Sequence, residues 1–167
     1  GLDSHVQVAT GALPKELIIE EHSSQFVVDP LAGQKTGWFF DQQSNRARLP
    51  RYCANKQVLD ACSYSGGFAI QAAMAGATKV LCIDSSAKAL EQVRINACLN
   101  RVDSIIDTLQ GDIFQTLSEL RSAKRRFGLV ILDPPALIPR RKDLKRGEEA
   151  YRRLNRLALA CLDPDGI

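Results

Sequence analysis

At 167 residues the chain fits one domain, long enough to bury about 70% of the surface its unfolded form exposes. A hydrophobic share of 45% and a charged share of 25% exclude disorder throughout. No apolar run reaches bilayer length, and GLDSHVQVAT lacks the basic start and apolar core of a secretory signal, so a cytoplasmic protein without membrane contact is expected. The net charge is only +3, but residues 121 to 156 hold twelve of the 22 Lys and Arg against four acids, a local +8 that leaves −5 elsewhere. Such a concentration either attracts phosphates by counterion release or is a solvated run of charges.

Residues 1 to 15 have no clear period, and Gly11 to Pro14 read as a turn. From Glu16 to Asp29, the runs LII and FVV around His22, Ser23 and Ser24 read as a β-hairpin, with His22 a turn residue of no further role. Residues 1–32 are thus taken as a hairpin and linker segment, and 33–167 as the main domain. In GQKTGWFFDQ, Gly33 to Gln42, two glycines frame Lys35 and Thr36, and an aromatic strand is expected to end at Asp41 and Gln42. That strand either packs Trp38, Phe39 and Phe40 on the core under a polar cap or places its polar end for a purpose. Gln43 to Cys53 is expected to form a basic-faced helix that Pro50 bends or limits to Gln43 to Leu49.

The stretch Gln57 to Asp84, QVLDACSYSGGFAIQAAMAGATKVLCID, reads as strand, glycine turn, helix and strand. Gly66 and Gly67 let a ligand approach the amides at the helix N-terminus, and Asp84 ends the second strand where a doubly wound sheet presents a carboxylate to ribose hydroxyls. The pair suggests a nucleoside-containing cofactor; a tight βα turn is the other reading. Ser85 or Ser86 then caps a helix running to about Asn100, with Ala87, Leu90, Val93 or Arg94 and Ala97 inward. Ile105 to Leu109 is a third strand. Asp112 follows as a helix cap, or as an acceptor for an exocyclic amine, before Ile113, Leu117 and Leu120 on one helix face.

FGLVILDPPA gives a fourth strand ending in Asp133, Pro134, Pro135 and Ala136, where two prolines hold the backbone extended and remove two donors. The polar ends of these strands, Cys62 to Gly67, Asp84, Asp112 and Asp133, should converge on one sheet edge. Leu137 to Arg146 reads as a basic loop, and Gly147 to Leu162 as a helix with Tyr151, Leu154, Ala158 and Cys161 inward and Arg152, Arg153 and Arg156 outward. DPDG is a turn, after which Ile167 begins a further strand. The five cysteines, Cys53, Cys62, Cys82, Cys98 and Cys161, form no C-x-x-C pair; packed, reduced thiols and no zinc are expected.

With GQKTGWFFDQ, VLDACSYSGGF, VLCIDSS, GDIF and LDPPAL in this order, the sequence resembles the class I S-adenosylmethionine-dependent methyltransferases. Among these it is similar to the bacterial enzymes that make 5-methylcytosine in large-subunit (23S) ribosomal RNA. The resemblance implies an α/β fold, a Rossmann-like core preceded by a short β-hairpin, with a sheet incomplete at its C-terminal side. It implies that Ala61, Cys62, Ser63, Tyr64, Ser65, Gly66 and Gly67 wrap the methionine part of S-adenosylmethionine. Asp84 would hold the ribose, with Ser85 beside it, and Asp112 and Ile113 would sit at the adenine. Lys35, Asp41 and Gln42 would close the pocket, while Asp133, Pro134 and Pro135 would border the methyl sulfonium and the target base.

The sequence departs from the family pattern at Gln43, where arginine is usual, at Asp60, where asparagine is common, and at Leu137, where an aromatic usually serves to stack a base. The family also has an RNA-binding module before this region and a nucleophilic cysteine after it, so a truncated chain is expected, with none of its five cysteines at the nucleophile position. Carbon 5 of cytosine is not acidic, and its methylation needs a thiolate added at carbon 6. RNA is the expected partner, through the basic 121–156 face, together with self-association through an exposed apolar edge strand. The alternatives are N-methylation of adenine or guanine in RNA, and an RNA-binding fragment without catalysis. A dehydrogenase is disfavoured because Ser65-Gly66-Gly67 leaves little glycine for a pyrophosphate.

Overall fold

In a computed structural model of the chain, residues 10–167 are described except 13, 15, 16, 32 and 139–143. Strands β1 (Leu17–Glu21) and β2 (Ser24–Val28) pair antiparallel around His22 and Ser23, whose φ of 51° and 65° are those of a two-residue hairpin turn. The expected hairpin is therefore present, and it is packed into the body of the protein. Phe26 and Val28 join Trp38, Ile70 and Ala97 in one buried cluster.

Residues 34 to 42 do not form the expected aromatic strand. They make two single 3-10 turns, Gln34–Gly37 and Phe40–Gln42. The physical reason lies in Gly37, whose φ of +89° no strand allows and where a Cβ would come within 2.8 Å of the Asp29 carbonyl oxygen. Only Trp38 is buried among the three aromatics; Phe40 is 61% exposed. The helix expected over Gln43 to Cys53 is likewise two separate turns, α1 (Gln43–Arg46) and α2 (Pro50–Cys53). Pro50 starts the second turn, a position that needs no N–H. Nor is the face basic throughout, since Arg46 is turned into the interior with 3% of its surface exposed.

A parallel sheet follows. Strands β3 (Gln57–Ala61), β4 (Lys79–Asp84), β5 (Ile106–Gln110) and β6 (Leu129–Leu132) lie in the order β5-β4-β3-β6. Helix α3 (Gly67–Met74) joins β3 to β4, and α4 (Ala87–Leu99) joins β4 to β5, starting at the Ser86 cap. Of the inner line read for that helix, Leu90, Val93 and Ala97 are buried, whereas Ala87 and Arg94 are exposed. Helix α5 (Ile113–Ser122) follows its Asp112 cap, and α6 (Leu144–Leu159) follows β6.

Both sheet faces are apolar, as a parallel sheet covered on two sides requires. Val58, Val80 and Leu129 pack with Ala69, Ala72 and Val93 on one face. On the other, Leu59 and Ile83 pack with Leu117, Leu154 and Leu157. Helix α6 begins three residues before the expected Gly147 and ends before Cys161, so the loop read as Leu137 to Arg146 gives its last three residues to the helix; residues 139–143 of that loop lie outside the described residues. Ile167 donates to the Gly128 carbonyl at 3.1 Å and accepts from Val130 N–H at 2.9 Å, a parallel pairing on the outer side of β6 that follows the Phe127–Leu162 bridge. No helix among the described residues is long and apolar enough to cross a membrane.

Candidate cofactor cleft

The carboxyl-terminal ends of β3, β4 and β6 carry the groups that the sequence singled out, and the turn between β3 and α3 lies at their centre. Cys62, Tyr64 and Gly66 have φ of 66°, 48° and 84°, which coils the backbone tightly enough to bury Ser63 and Ser65. A Cβ on Gly66 would meet the Val93 methyls at 3.3 Å, and one on Gly67 the Trp38 ring at 3.1 Å. Both glycines therefore have a packing role that does not depend on a ligand.

Asp84 organises the rim of this turn. Its Oδ2 accepts from Tyr64 N–H and its Oδ1 from Ser86 N–H, each at 2.9 Å, so one side chain fixes both the glycine turn and the start of α4. One acceptor site on each oxygen is left over. Ser85 beside it is exposed. Asp112 accepts from Gln115 N–H at 3.0 Å as the cap of α5, and Ile113 behind it is half-buried.

The 34–42 segment forms a strap over one side. Lys35 Nζ bonds Asp41 Oδ2 at 2.7 Å and stands 4.7 Å above the Phe39 ring, whose edge meets Tyr64 at 5.4 Å. Gln34 N–H donates to the Tyr64 hydroxyl at 3.1 Å, and Gln42 Oε1 accepts from Asn45 at 2.7 Å. The hydrogen bond from Lys35 holds the exposed Asp41 carboxyl below its ordinary range. Burial raises that of Asp133, Asp41 raises it further, and Arg46 and Lys35 oppose. The strap and the end of β6 therefore face each other electrostatically.

Cys62 reports the convergence most directly. Burial pushes its thiol up to about 12, and Asp84, Asp60, Asp133 and Asp112 all add to the effect. Four carboxylates, one within β3 and three at or beyond the ends of β4, β5 and β6, thus act on one residue. Burial also raises Cys53, to about 11, as well as Cys82 and Cys161, which makes these thiols poor nucleophiles. Cys98 departs from the expectation that all five cysteines pack, since it is exposed on α4.

Several structural residues were not visible in the sequence. The carboxylate of Glu21 receives Arg46 Nε at 2.5 Å, Arg46 Nη2 at 2.7 Å and Trp38 Nε1 at 3.0 Å, all in the interior. Burial acts to raise its pKa, but the hydrogen bonds from Arg46 and Trp38 outweigh that and lower it. Asn96, fully buried, donates to the Ser65 carbonyl and accepts from Val27 N–H, both at 2.9 Å, clamping the glycine turn to the hairpin. A polar residue inside an apolar helix line was the available signal for Asn96 and for Gln71, which donates to the Glu21 carbonyl at 2.7 Å.

The basic cluster is divided by the topology. Arg121 to Arg126 precedes β6 and lies at the amino-terminal edge of the sheet, away from the carboxylates. Helix α6 starts at the carboxylate edge, bringing Lys145 and Arg146 there, and Arg153 stacks over Phe114 at the start of α5 at 5.2 Å. An open depression of about 670 Å³ lies instead beside β5 and α4, lined in part by Arg94, Cys98 and Asp107.

A parallel sheet with helices on both faces, a coiled glycine turn after one central strand and an acid at the end of the next define a doubly wound domain with its cleft at the strand ends. The chain belongs to the S-adenosylmethionine-dependent methyltransferases, whose family pattern matches residues 3–167. It is 36% identical over 169 residues to the ribosomal RNA large subunit methyltransferase I of Shigella boydii, covering the whole of this chain and 43% of that relative. A solved structure of a protein from Streptococcus mutans, assigned as an S-adenosylmethionine-dependent methyltransferase, superposes with a TM-score of 0.82 at 25% identity over 95% of this chain and 42% of the other. Another, assigned as a methyltransferase and complexed with SAH, gives 0.83 at 26% identity over 95% of this chain and 42% of its own. The chain thus spans less than half the length of these relatives.

Proposed function

We propose that the chain is the cofactor-binding core of an RNA methyltransferase that modifies carbon 5 of a cytosine in large-subunit ribosomal RNA. The observation that carries the cofactor part is the meeting of Asp60, Asp84, Asp112 and Asp133 around Cys62. A cleft edged by these four carboxylates fits a ligand that carries positive charge on a sulfonium and an ammonium. S-adenosylmethionine, when bound, supplies an electrophilic methyl group.

The chain's own residues bind and orient. The turn from Ala61 to Gly67 would cradle the methionine end, at the N-terminus of α3. The free acceptor sites of Asp84 would take the ribose hydroxyls, and Ser85 extends the same rim. Asp112 and Ile113 would edge the adenine, and the strap of Lys35, Asp41 and Gln42 would exclude water from the side. Asp133, Pro134 and Pro135 would hold an extended wall with its acceptors turned to the target base. Lys145, Arg146 and Arg153 at the cleft edge would meet RNA phosphates, a narrower assignment than the whole 121–156 run. The nucleophilic thiolate is assigned to a residue outside these 167, because burial raises four of the cysteines and Cys98 lies on α4.

That cysteine pattern also supports a second reading, methyl transfer to a nitrogen of adenine or guanine, which needs no thiolate. Nucleoside analysis of RNA methylated by the protein separates the two. Calorimetry tests the cofactor: S-adenosylmethionine should bind in the micromolar range to the wild-type chain and not to a folded Asp84→Ala variant. RNA affinity indifferent to the cofactor would instead favour an RNA-binding role without transfer. Self-association through the outer side of β6, where Ile167 bridges at Leu129 while Leu132 lies beyond that bridge, is part of the same reading, as is residence in the cytoplasm. A monomer at high concentration in sedimentation would remove the self-association.

A further inference from the structure

Asp60 lies on β3 in the interior of the sheet, with Cys82 of β4 and Ile131 of β6 in register on either side. Its surface is 1% exposed. The carboxylate accepts from Ala69 N–H in the first turn of α3, but its Oδ2 has no hydrogen-bond partner among the described residues. The charged and titratable groups that face it are Asp84 from the end of β4, Asp133 from the end of β6, and the thiols of Cys62 and Cys82. Helix α3, packed over it, has no charged residue. A carboxylate this deep, with an unpartnered oxygen, two like charges nearby and no cation facing it among the described residues, is held more cheaply as the neutral acid. Burial first, and then Asp133 and Asp84, raise its pKa to about 7 against the hydrogen bond from Ala69.

We propose that Asp60 stores a proton in the free protein and releases it when the cationic cofactor enters the cleft, so that the chain favours the sulfonium form over its demethylated sulfide product. This rests on the cofactor assignment made above. The balance is simple. Entry of one positive charge and departure of one proton leave the charge of the site unchanged. Methyl transfer turns the sulfonium into a sulfide, the base that gains the methyl group loses its own proton, and Asp60 takes a proton back from solvent. The product is then left in a site no longer charged to hold a cation.

The test is calorimetry of S-adenosylmethionine and of its demethylated product in buffer pairs of different ionisation enthalpy, at pH 6, 7 and 8. The wild-type chain should release close to one proton per cofactor at pH 6 and almost none at pH 8, with much smaller release for the product. The preference for cofactor over product should increase as pH rises towards 7, by at most about tenfold per pH unit, and level off above it. Asp60→Asn, which keeps an oxygen for Ala69, should release no proton and show a flat preference. An infrared band of a protonated carboxyl should be present in the free wild-type chain at pH 6, vanish on cofactor addition, and be absent from Asp60→Asn; the wild-type measurements decide the matter if the variant does not fold. Cofactor binding without proton release, or a band that persists in the complex, overturns the proposal alone. Failure of a folded wild-type chain to bind either ligand overturns the cofactor assignment itself, and the proton coupling with it.

Discussion

Glu21 and Asp60 are buried to nearly the same depth, with 4% and 1% of their surfaces exposed, and meet opposite surroundings. Glu21, at the end of β1, receives three hydrogen bonds from Arg46 and Trp38, and its carboxyl is held below the ordinary range. Asp60, in mid-sheet, has one backbone donor and two acidic neighbours, and its carboxyl is raised. The difference teaches where this fold tolerates an unsatisfied charge. Around Glu21 the buried carboxylate is compensated by Arg46 and Trp38, which suits a structural joint. Beneath the glycine turn the compensation is missing, which suits a place where a ligand is to supply it.

Removing Arg46 breaks the comparison most severely. Arg46→Leu leaves Glu21 buried without its cation and should lower stability by about 3–5 kcal/mol in urea denaturation at neutral pH. Because Glu21 is lowered in the folded state, its contribution is present above the ordinary carboxylate pKa of 4.5 and fades as pH falls through the lowered value, so the penalty should shrink in acid. Asn96→Leu strands the Val27 N–H and the Ser65 carbonyl and should cost about 2–3 kcal/mol by the same measurement.

Asp60→Asn sharpens the contrast in the other direction. The folded pKa of about 7 stands above the ordinary 3.8, so between these values the native state binds more protons than the unfolded one and wild-type stability falls as pH rises. The variant should therefore be more stable than the wild type above pH 7, by about 1–3 kcal/mol, with the gain disappearing below about pH 4. A melting temperature that does not increase at pH 8 would show that the site relaxes around an ionised Asp60. The smallest effect belongs to the strap surface. Lys35 and Asp41 are both exposed, and Lys35→Ala should leave the melting temperature unchanged while weakening cofactor binding several-fold in calorimetry.

The β3 to β4 unit was legible because its signals are local: short apolar runs, a glycine pair, and an acid at the strand end. The caps at Ser86 and Asp112 were legible for the same reason, since each bonds an amide three residues on. Residues 34 to 53 were not. Their backbone follows Gly37 and Pro50, and their buried side chains answer to Glu21, 17 and 25 residues away in sequence. The basic run from 121 to 156 misled by contiguity, because the chain crosses the sheet from one edge to the other within it. Asp60 was visible as an acid in an apolar strand, but the lack of a hydrogen-bond partner for its Oδ2 among the described residues depends on three strands and a helix meeting.

The Asn96 clamp also orders events in time. Its amide joins Val27, 69 residues earlier, to Ser65, 31 residues earlier, so the bonds that hold the glycine turn against the hairpin do not exist until α4 is in place. On a chain emerging from the ribosome, β1, β2 and the turn sequence come out first and must wait for the second half of α4 before they are locked together. Such long-range closure slows folding relative to local pairing. The cleft is therefore a late product of synthesis, and a nascent chain paused before residue 96 would carry the whole glycine sequence without the shape that uses it.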